Sequence, residues 1–93
     1  MYTELQAARS YHYTGASYFD EGNKSNMNAA AIFLNSSRMA VRVTDECLQI
    51  HGGNGYINEY ECGRLVRDAK LYDIGGGTKE IRQWLIGREL SKM

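Results

Sequence analysis

The residues between Ser25 and His51 repeat apolar or small side chains at alternating steps of three and four positions. This spacing puts those side chains on one face of an α-helix, whereas a strand would alternate at every second residue. Ser25 or Asn26 can cap the free amides at the helix start, and Gly52, which adopts positive φ without steric cost, ends the helix. The positions on this face are Ala29, Phe33, Ser36, Ala40, Val43, Cys47 and Ile50, flanked by Ile32, Met39 and Leu48.

Glycine divides the rest of the chain, because proline is absent. We predict a first helix over about 2–21, a loop over 54–60, a short helix of two to three turns within 61–74 and a final helix within 79–92, capped by Thr78. Their core-facing residues follow from the same spacing: Leu5, Ala8, His12, Gly15 and Phe19; Leu65, Val66, Ala69 and Tyr72; Ile81, Trp84, Leu85 and Arg88. The predicted fold class is therefore all-α, an antiparallel helical bundle of three long helices and one short helix.

Composition is that of one small globular domain, and it excludes several function classes. Apolar residues make up 43% and charged residues 24%, which argues against disorder. Eleven Lys and Arg balance eleven Asp and Glu, so no nucleic-acid surface is expected. We expect no membrane span and no secretory signal, because the chain lacks the apolar runs that either requires. The two cysteines fit free thiols in a reducing compartment.

Two glycine-rich segments are the strongest candidates for chemistry. The first glycine junction, residues 49–56, closes the long helix with three glycines in four positions, more than one helix cap requires. Such a backbone is open to close approach by a ligand or a second chain. The second glycine junction, residues 74–78, precedes a helix N-terminus, whose free amides and dipole favour an anion. It matches neither a phosphate-loop nor a dinucleotide-binding pattern, so spacing alone leaves the ligand open.

The remaining chemistry-bearing residues have simpler interpretations. Cys47 and His51 are one helical turn apart and could form half of a metal site. Cys62 and His12 complete no recognised ligand spacing, so a core thiol and a capping histidine are the favoured interpretation and no metal is predicted. Acidic residues in polar surroundings are interpreted as solvated carboxylates: Glu59, Glu61, Asp73 and Glu80.

Long segments of the chain closely resemble the C-terminal part of the acyl-CoA dehydrogenases, and within them the isovaleryl-CoA dehydrogenase branch. The resemblance lies in QIHGGNGYINEY, in GRLVRDAKLYDIGGGTKEIRQWLIGREL and, nearer the start, in AARSYHYTGASYFDEG, so it covers nearly the whole chain. It implies that residues 1–93 form the C-terminal helical-bundle domain without its first helix. The N-terminal helical domain and the middle β domain of that family lie outside these residues.

The resemblance also implies site residues. Contacts to FAD, generally that of a neighbouring subunit, fall on Gln49, Ile50, His51, Gly52 and Gly53, and contacts on the flavin side fall on Thr78, Lys79 and Glu80. Gly76 and Gly77 border the acyl substrate. Gly76 stands where most members carry the catalytic glutamate, so the base is expected outside this chain, as in the isovaleryl branch. Glu61 stands where the family usually has proline.

The function implied is flavin-dependent α,β-dehydrogenation of a short, branched acyl-CoA in fatty acid or amino acid catabolism. The complete enzyme is expected to be a homotetramer that passes electrons to an electron-transfer flavoprotein, in the mitochondrial matrix of a eukaryote or the cytoplasm of a bacterium. The 93 residues alone are expected to self-associate and to be inactive. Two alternatives stay open: a noncatalytic helical interaction module derived from that family, and an independent anion-binding bundle.

Overall fold

The computed structural model describes all residues 1–93, which form five α-helices and no strand. The helices are α1 (Tyr2–Asp20), α2 (Asn26–His51), α3 (Gly53–Tyr56), α4 (Cys62–Ile74) and α5 (Lys79–Ser91). The all-α prediction is confirmed. None of these helices combines the length and mean hydropathy that a bilayer span requires.

The predicted helix boundaries are confirmed where capping chemistry marked them. The Ser25 hydroxyl accepts a hydrogen bond from the Asn28 amide at 3.2 Å, and the Thr78 hydroxyl accepts one from the Ile81 amide at 3.3 Å. Each bond satisfies an amide that has no partner within the first turn of its helix. Gly52 ends α2 with φ 63°, a conformation that side chains disfavour.

Helix α2 is the centre of the bundle, because α1, α4 and α5 all pack on it. Helix α1 runs antiparallel to it, with Glu4 paired to Arg42 at 3.0 Å. Helix α4 begins beside Cys47, near the end of α2. Helix α5 continues in the same direction along the first half of α2, where the Arg82 guanidinium lies on the Phe33 ring. Helices α4 and α5 therefore follow one another along α2, and both are antiparallel to it.

The core is thin and made of small residues. Only 8 of the 93 residues are buried, and no large side chain is fully enclosed. The apolar members are Ala8, Ala30, Cys62 and Ala69, which allow neighbouring helices to approach closely. A Cβ added at Gly15 would overlap the Ile32 side chain, so α1 also approaches α2 through a small residue. Most of the large apolar side chains consequently remain at the surface.

Several predictions of local structure are wrong in detail. Residues 53–56, placed mostly in the loop 54–60, form the single turn α3, because Gly55 packs against the end of α2. Helix α4, predicted to be short, has 13 residues, as many as α5. Glu61 has φ −75°, a value that proline also adopts, so the absence of the family's proline requires no different backbone at that residue.

The predicted core faces of the shorter helices are rotated from those observed. In α4, Leu65 and Tyr72 are exposed, whereas Cys62 and Asp73 are buried. In α5, Arg82 is the buried residue. Each of these helices packs mainly on α2, so the geometry of that contact, rather than the full apolar stripe, decides which side chains are covered. Other residues predicted to face the core but found exposed are Leu5, His12, Phe19, Ala29, Phe33, Ile50, Ile81, Trp84 and Arg88.

Candidate functional site

The first glycine junction is a compact turn at the end of α2. Gly52 has φ 63° and ψ −137°, and its carbonyl accepts a hydrogen bond from the Gly55 amide at 2.9 Å. A Cβ on Gly55 would lie 2.5 Å from the Leu48 carbonyl oxygen, which is backbone and cannot easily move aside. The junction therefore needs glycine at position 52 for its conformation and at position 55 for space.

The outer side of the same junction is open. All five residues predicted to contact FAD here, 49–53, are exposed, and Ile50 is 68% accessible. A Cβ added to Gly52 or Gly53 would meet nothing within 4 Å. Backbone of this kind lets a pyrophosphate approach closely, and the Gln49 carboxamide can donate hydrogen bonds to phosphate or ribose oxygens. The residues present therefore fit contacts to a dinucleotide cofactor such as FAD.

The His51 side chain points back toward its own helix. Its Nδ1 donates a hydrogen bond to the Cys47 carbonyl oxygen at 2.8 Å and lies 3.9 Å from the Cys47 Sγ. The predicted capping role of His51 stays a prediction, because the Cys47 carbonyl precedes the last four carbonyls of α2. A cofactor contact at His51 is therefore best supplied by its backbone, together with that of Gly52 and Gly53.

The second glycine junction lies over a buried guanidinium. Gly76 and Gly77 have φ 74° and 118°, and the preceding Gly75 carbonyl accepts a hydrogen bond from the Arg82 Nη2 at 3.0 Å. The Arg82 Cζ lies 3.7 Å from the centre of the Phe33 ring, a distance typical of a cation–π contact. Arg82 is only 5% exposed, so this cation is held within the fold rather than solvated.

A pocket of about 370 Å³ borders this junction. Gly76, Gly77 and Arg82 all line it, and Arg88 stands at the same pocket. The Arg82 Nη1 is buried without a hydrogen-bond partner, which leaves one charged donor for an oxygen acceptor. Sequence reasoning missed Arg82, because neither its charge nor the apolar spacing of α5 marks position 82 as buried.

The flavin-side residues predicted after the glycines lie in the first turn of α5. The Thr78 hydroxyl is engaged by its own helix, Lys79 is half-buried and Glu80 is exposed. Asp73 corrects another interpretation: it is 5% exposed rather than solvated. Its Oδ2 accepts a hydrogen bond from Lys70 at 3.1 Å, while its Oδ1 has no partner.

The two junctions lie far apart on one chain. The first follows His51, whereas the pocket at the second is bordered by Asn26, Ala30 and Phe33 on the first two turns of α2. At 1.5 Å per residue, Phe33 and His51 are separated by about 27 Å. The structure therefore does not bring the two predicted sets of cofactor contacts together around one small group. They can contact a common ligand only if it is extended, and otherwise they serve sites completed by different chains.

A third arrangement was only half visible in the sequence. The sulfur atoms of Cys47 and Cys62 and a ring nitrogen of His51 all lie within 4.8 Å of one another. Sequence spacing could not place Cys62, because it enters from the first turn of α4. Both cysteines are free thiols.

Comparison with known proteins places this geometry in a family. The family profile described as "Acyl-CoA dehydrogenase, C-terminal domain" matches residues 1–91. The mitochondrial isovaleryl-CoA dehydrogenase of Arabidopsis thaliana is 52% identical over 92 residues, which cover 99% of this chain and 22% of that protein. The chain thus spans about a fifth of the length of this relative.

Solved structures show the same arrangement of helices. Butyryl-CoA dehydrogenase from Megasphaera elsdenii superposes with a TM-score of 0.91 at 39% identity, over 97% of this chain and 24% of that one. A chain in a structure described as the electron transferring flavoprotein of Acidaminococcus fermentans, concerned with flavin-based electron bifurcation, superposes with a TM-score of 0.90 at 34% identity. That match covers 97% of this chain and 24% of the other.

Proposed function

This chain belongs to the acyl-CoA dehydrogenase family, and we propose that residues 1–93 act as the C-terminal helical-bundle domain of an FAD-dependent acyl-CoA dehydrogenase. The observation that carries the proposal is the exposed backbone of Gly52 and Gly53. A Cβ added to either residue would have no neighbouring heavy atom within 4 Å. The N-terminal helical domain and the β domain would complete the enzyme from outside these residues. In that assembly the domain supplies cofactor contacts and an oligomer interface.

The first glycine junction is the proposed contact with FAD, across residues 49–53. Bound FAD supplies the hydride acceptor for dehydrogenation of the acyl group. The Gln49 carboxamide would bind its phosphate or ribose oxygens, and the Gly52 and Gly53 backbone would lie against the pyrophosphate. The large separation from the second junction favours a cofactor of a neighbouring subunit for these contacts.

The second glycine junction is the proposed border of the acyl-CoA site. Gly76 and Gly77 would leave room for a branched acyl chain, and Thr78, Lys79 and Glu80 would lie on the flavin side. Gly76 has no side chain that can accept a proton, so the base that removes the substrate α proton would come from outside residues 1–93. Arg82 holds the Gly75 carbonyl and so fixes the loop that shapes this border.

The relatives support our proposals for the substrate, the electron acceptor and the compartment. A short branched acyl-CoA from amino acid catabolism fits the similarity to isovaleryl-CoA dehydrogenase. An electron-transfer flavoprotein as acceptor fits the similarity to a chain in a structure of such a flavoprotein. The relative from Arabidopsis is named mitochondrial, which supports the mitochondrial matrix for a eukaryotic source. For a bacterial source we propose the cytoplasm.

The proposed oligomer interface is the apolar surface that the thin core leaves outside. A groove of about 610 Å³ between α1 and α2 is lined by Tyr11, Phe19, Ile32 and Phe33, among others. Such extensive apolar surface favours contact with another domain or subunit, with a homotetramer as the proposed end state. Light scattering coupled to size-exclusion chromatography should show self-association of the isolated chain. A monomer across a wide concentration range would contradict this interface.

A chimera tests the function directly. The corresponding C-terminal segment of the Arabidopsis isovaleryl-CoA dehydrogenase would be replaced by residues 1–93, and FAD content and isovaleryl-CoA dehydrogenation would be measured. We expect a flavin-loaded, active enzyme, while the 93 residues alone should neither retain FAD nor dehydrogenate any acyl-CoA. A folded, tetrameric chimera that lacks flavin would instead support the noncatalytic interaction module.

A further inference from the structure

We propose that Cys47, Cys62 and His51 form a binding site for Zn²⁺ or a similarly thiophilic divalent cation, joining the end of α2 to the start of α4. The site is separate from the acyl-CoA pocket and does not depend on the proposed function. Cys47 and His51 lie one turn apart on α2, and sequence spacing does not predict that Cys62 joins them. The tertiary packing of α4 on α2 brings them together.

The distances are close to those of a metal site. The three ligand atoms lie within 4.8 Å of one another, and the Cys47 Sγ is 3.9 Å from the His51 Nδ1. In a tetrahedral zinc site, bond lengths of about 2.3 Å to sulfur and 2.0–2.1 Å to nitrogen place the ligands roughly 3.5–3.8 Å apart. The observed cluster reaches that geometry by closing by about 1 Å, which side-chain rotation can supply.

A hydrogen bond holds the His51 ring beside the Cys47 thiol. A carbonyl oxygen can only accept, so the 2.8 Å contact with the Cys47 carbonyl places the proton on the His51 Nδ1. Nδ1 is also the ring nitrogen beside the Cys47 Sγ, so it would become the ligand when the ring carries its proton on Nε2 and gives up this bond.

The donor set selects the class of cation. Two thiolates and an imidazole favour Zn²⁺ and similar borderline or soft ions, while Ca²⁺ and Mg²⁺ require oxygen ligands, which this cluster lacks. Two cysteine thiolates also neutralise a divalent charge. Cys62 is 4% exposed, Cys47 is half-buried and His51 is exposed, so the ion would enter from the His51 side and take its fourth ligand from solvent.

A cation bound at this site would restrict the backbone of the first glycine junction. The ligands enclose residues 52–61, which include Gly52 and Gly53. A bound cation would tie the two ends of this segment together and reduce its freedom to move.

The test uses the reduced 93-residue chain and Co²⁺ as a spectroscopic probe. We expect one Co²⁺ per chain, with an intense thiolate-to-metal charge-transfer band and tetrahedral d–d bands that disappear when Zn²⁺ is added. Zn²⁺ should also raise the midpoint of thermal unfolding, since it binds the folded chain. Absence of a thiolate band in the wild-type chain would overturn the proposal.

Variants identify the ligands. Cys62→Ser and His51→Gln should each weaken Co²⁺ binding by roughly tenfold or more. His12→Gln is the matched control, because His12 is the only other histidine. This variant should bind Co²⁺ with the affinity of the wild-type chain. Undiminished Co²⁺ binding by His51→Gln would show that His51 is not a ligand and would overturn the three-residue site. No flavin is used, so failure here would leave the proposed function untouched.

Discussion

Gly52 and Gly53, at the end of α2, face open space, whereas Gly75 lies over a buried arginine that binds its carbonyl oxygen. Both junctions are rich in glycine, but the physical demand on them differs. At the first junction Gly52 has positive φ and Gly55 packs against the Leu48 backbone, while the outer side of Gly52 and Gly53 is open to a ligand. At the second, positive φ at Gly76 and the Arg82 contact fix the loop from within.

This difference separates two uses of glycine that a sequence motif presents alike. On the open side of the first junction, Gly53 could carry a side chain without a clash, so a ligand explains the glycine there. A held junction requires glycine for its own conformation, and its ligand is explained by the groups around it. Substitutions at the two junctions should therefore affect stability unequally.

The largest expected effect is from Arg82→Ala at the second junction. The substitution removes a charged hydrogen bond to the Gly75 carbonyl and the stacking on Phe33. We expect the free energy of unfolding to fall by about 3 kcal/mol, measured by urea denaturation. Arg88→Ala is the control, because Arg88 lies 5.0 Å from the exposed Trp84 ring. Its substitution should lower the free energy of unfolding by under about 1 kcal/mol. Equal losses would mean that Arg82 does not hold the loop.

A smaller effect is expected from Gly55→Ala at the first junction. The new Cβ would lie 2.5 Å from the Leu48 carbonyl oxygen, and overpacking of this kind costs about 2 kcal/mol. Gly53→Ala, in the same short helix, meets nothing within 4 Å and should leave stability unchanged or slightly raised. Thermal unfolding of the pair checks this. If both variants lose the same stability, the outer side of the junction is not open.

The smallest expected effect is from Gly76→Ala. At φ 74° an alanine is strained by about 1 kcal/mol, although its Cβ would be only in ordinary contact with Arg82 at 3.7 Å. Gly87→Ala, inside α5 and without neighbours, should instead stabilise the chain by about 0.5–1 kcal/mol. Chemical denaturation should therefore show a lower free energy of unfolding for Gly76→Ala and a higher one for Gly87→Ala. A stabilising Gly76→Ala would remove the conformational argument for the second junction.

Sequence reasoning captured the features that are local. The bounds of α2 and the caps at Ser25 and Thr78 depend on residues within one or two turns, and each is found in the structure. It failed where a second helix decides the outcome. Nothing near Arg82 in the sequence shows that Phe33 lies beneath it, and nothing near Cys62 shows that it meets Cys47.

The same limit explains the rotated faces of α4 and α5. Their apolar residues follow helical spacing, yet each helix packs mainly on α2, and Leu65 and Trp84 remain exposed. For the site, the resemblance to the family marked the glycine junctions, while only the folded chain shows which of them is open. The distance between the junctions, about 27 Å along α2, was equally invisible before the helix lengths and contacts were known.

The most direct test of the central claim is the FAD affinity of the chimeric enzyme carrying Gln49→Ala. The loss of hydrogen bonds to a charged ligand costs about 1.5–3 kcal/mol, so flavin should bind roughly tenfold to 100-fold more weakly. Gln83→Ala, which removes an exposed carboxamide from α5, should bind flavin as the unsubstituted chimera does. Equal flavin affinity in all three proteins would contradict the assignment of residues 49–53 to the cofactor.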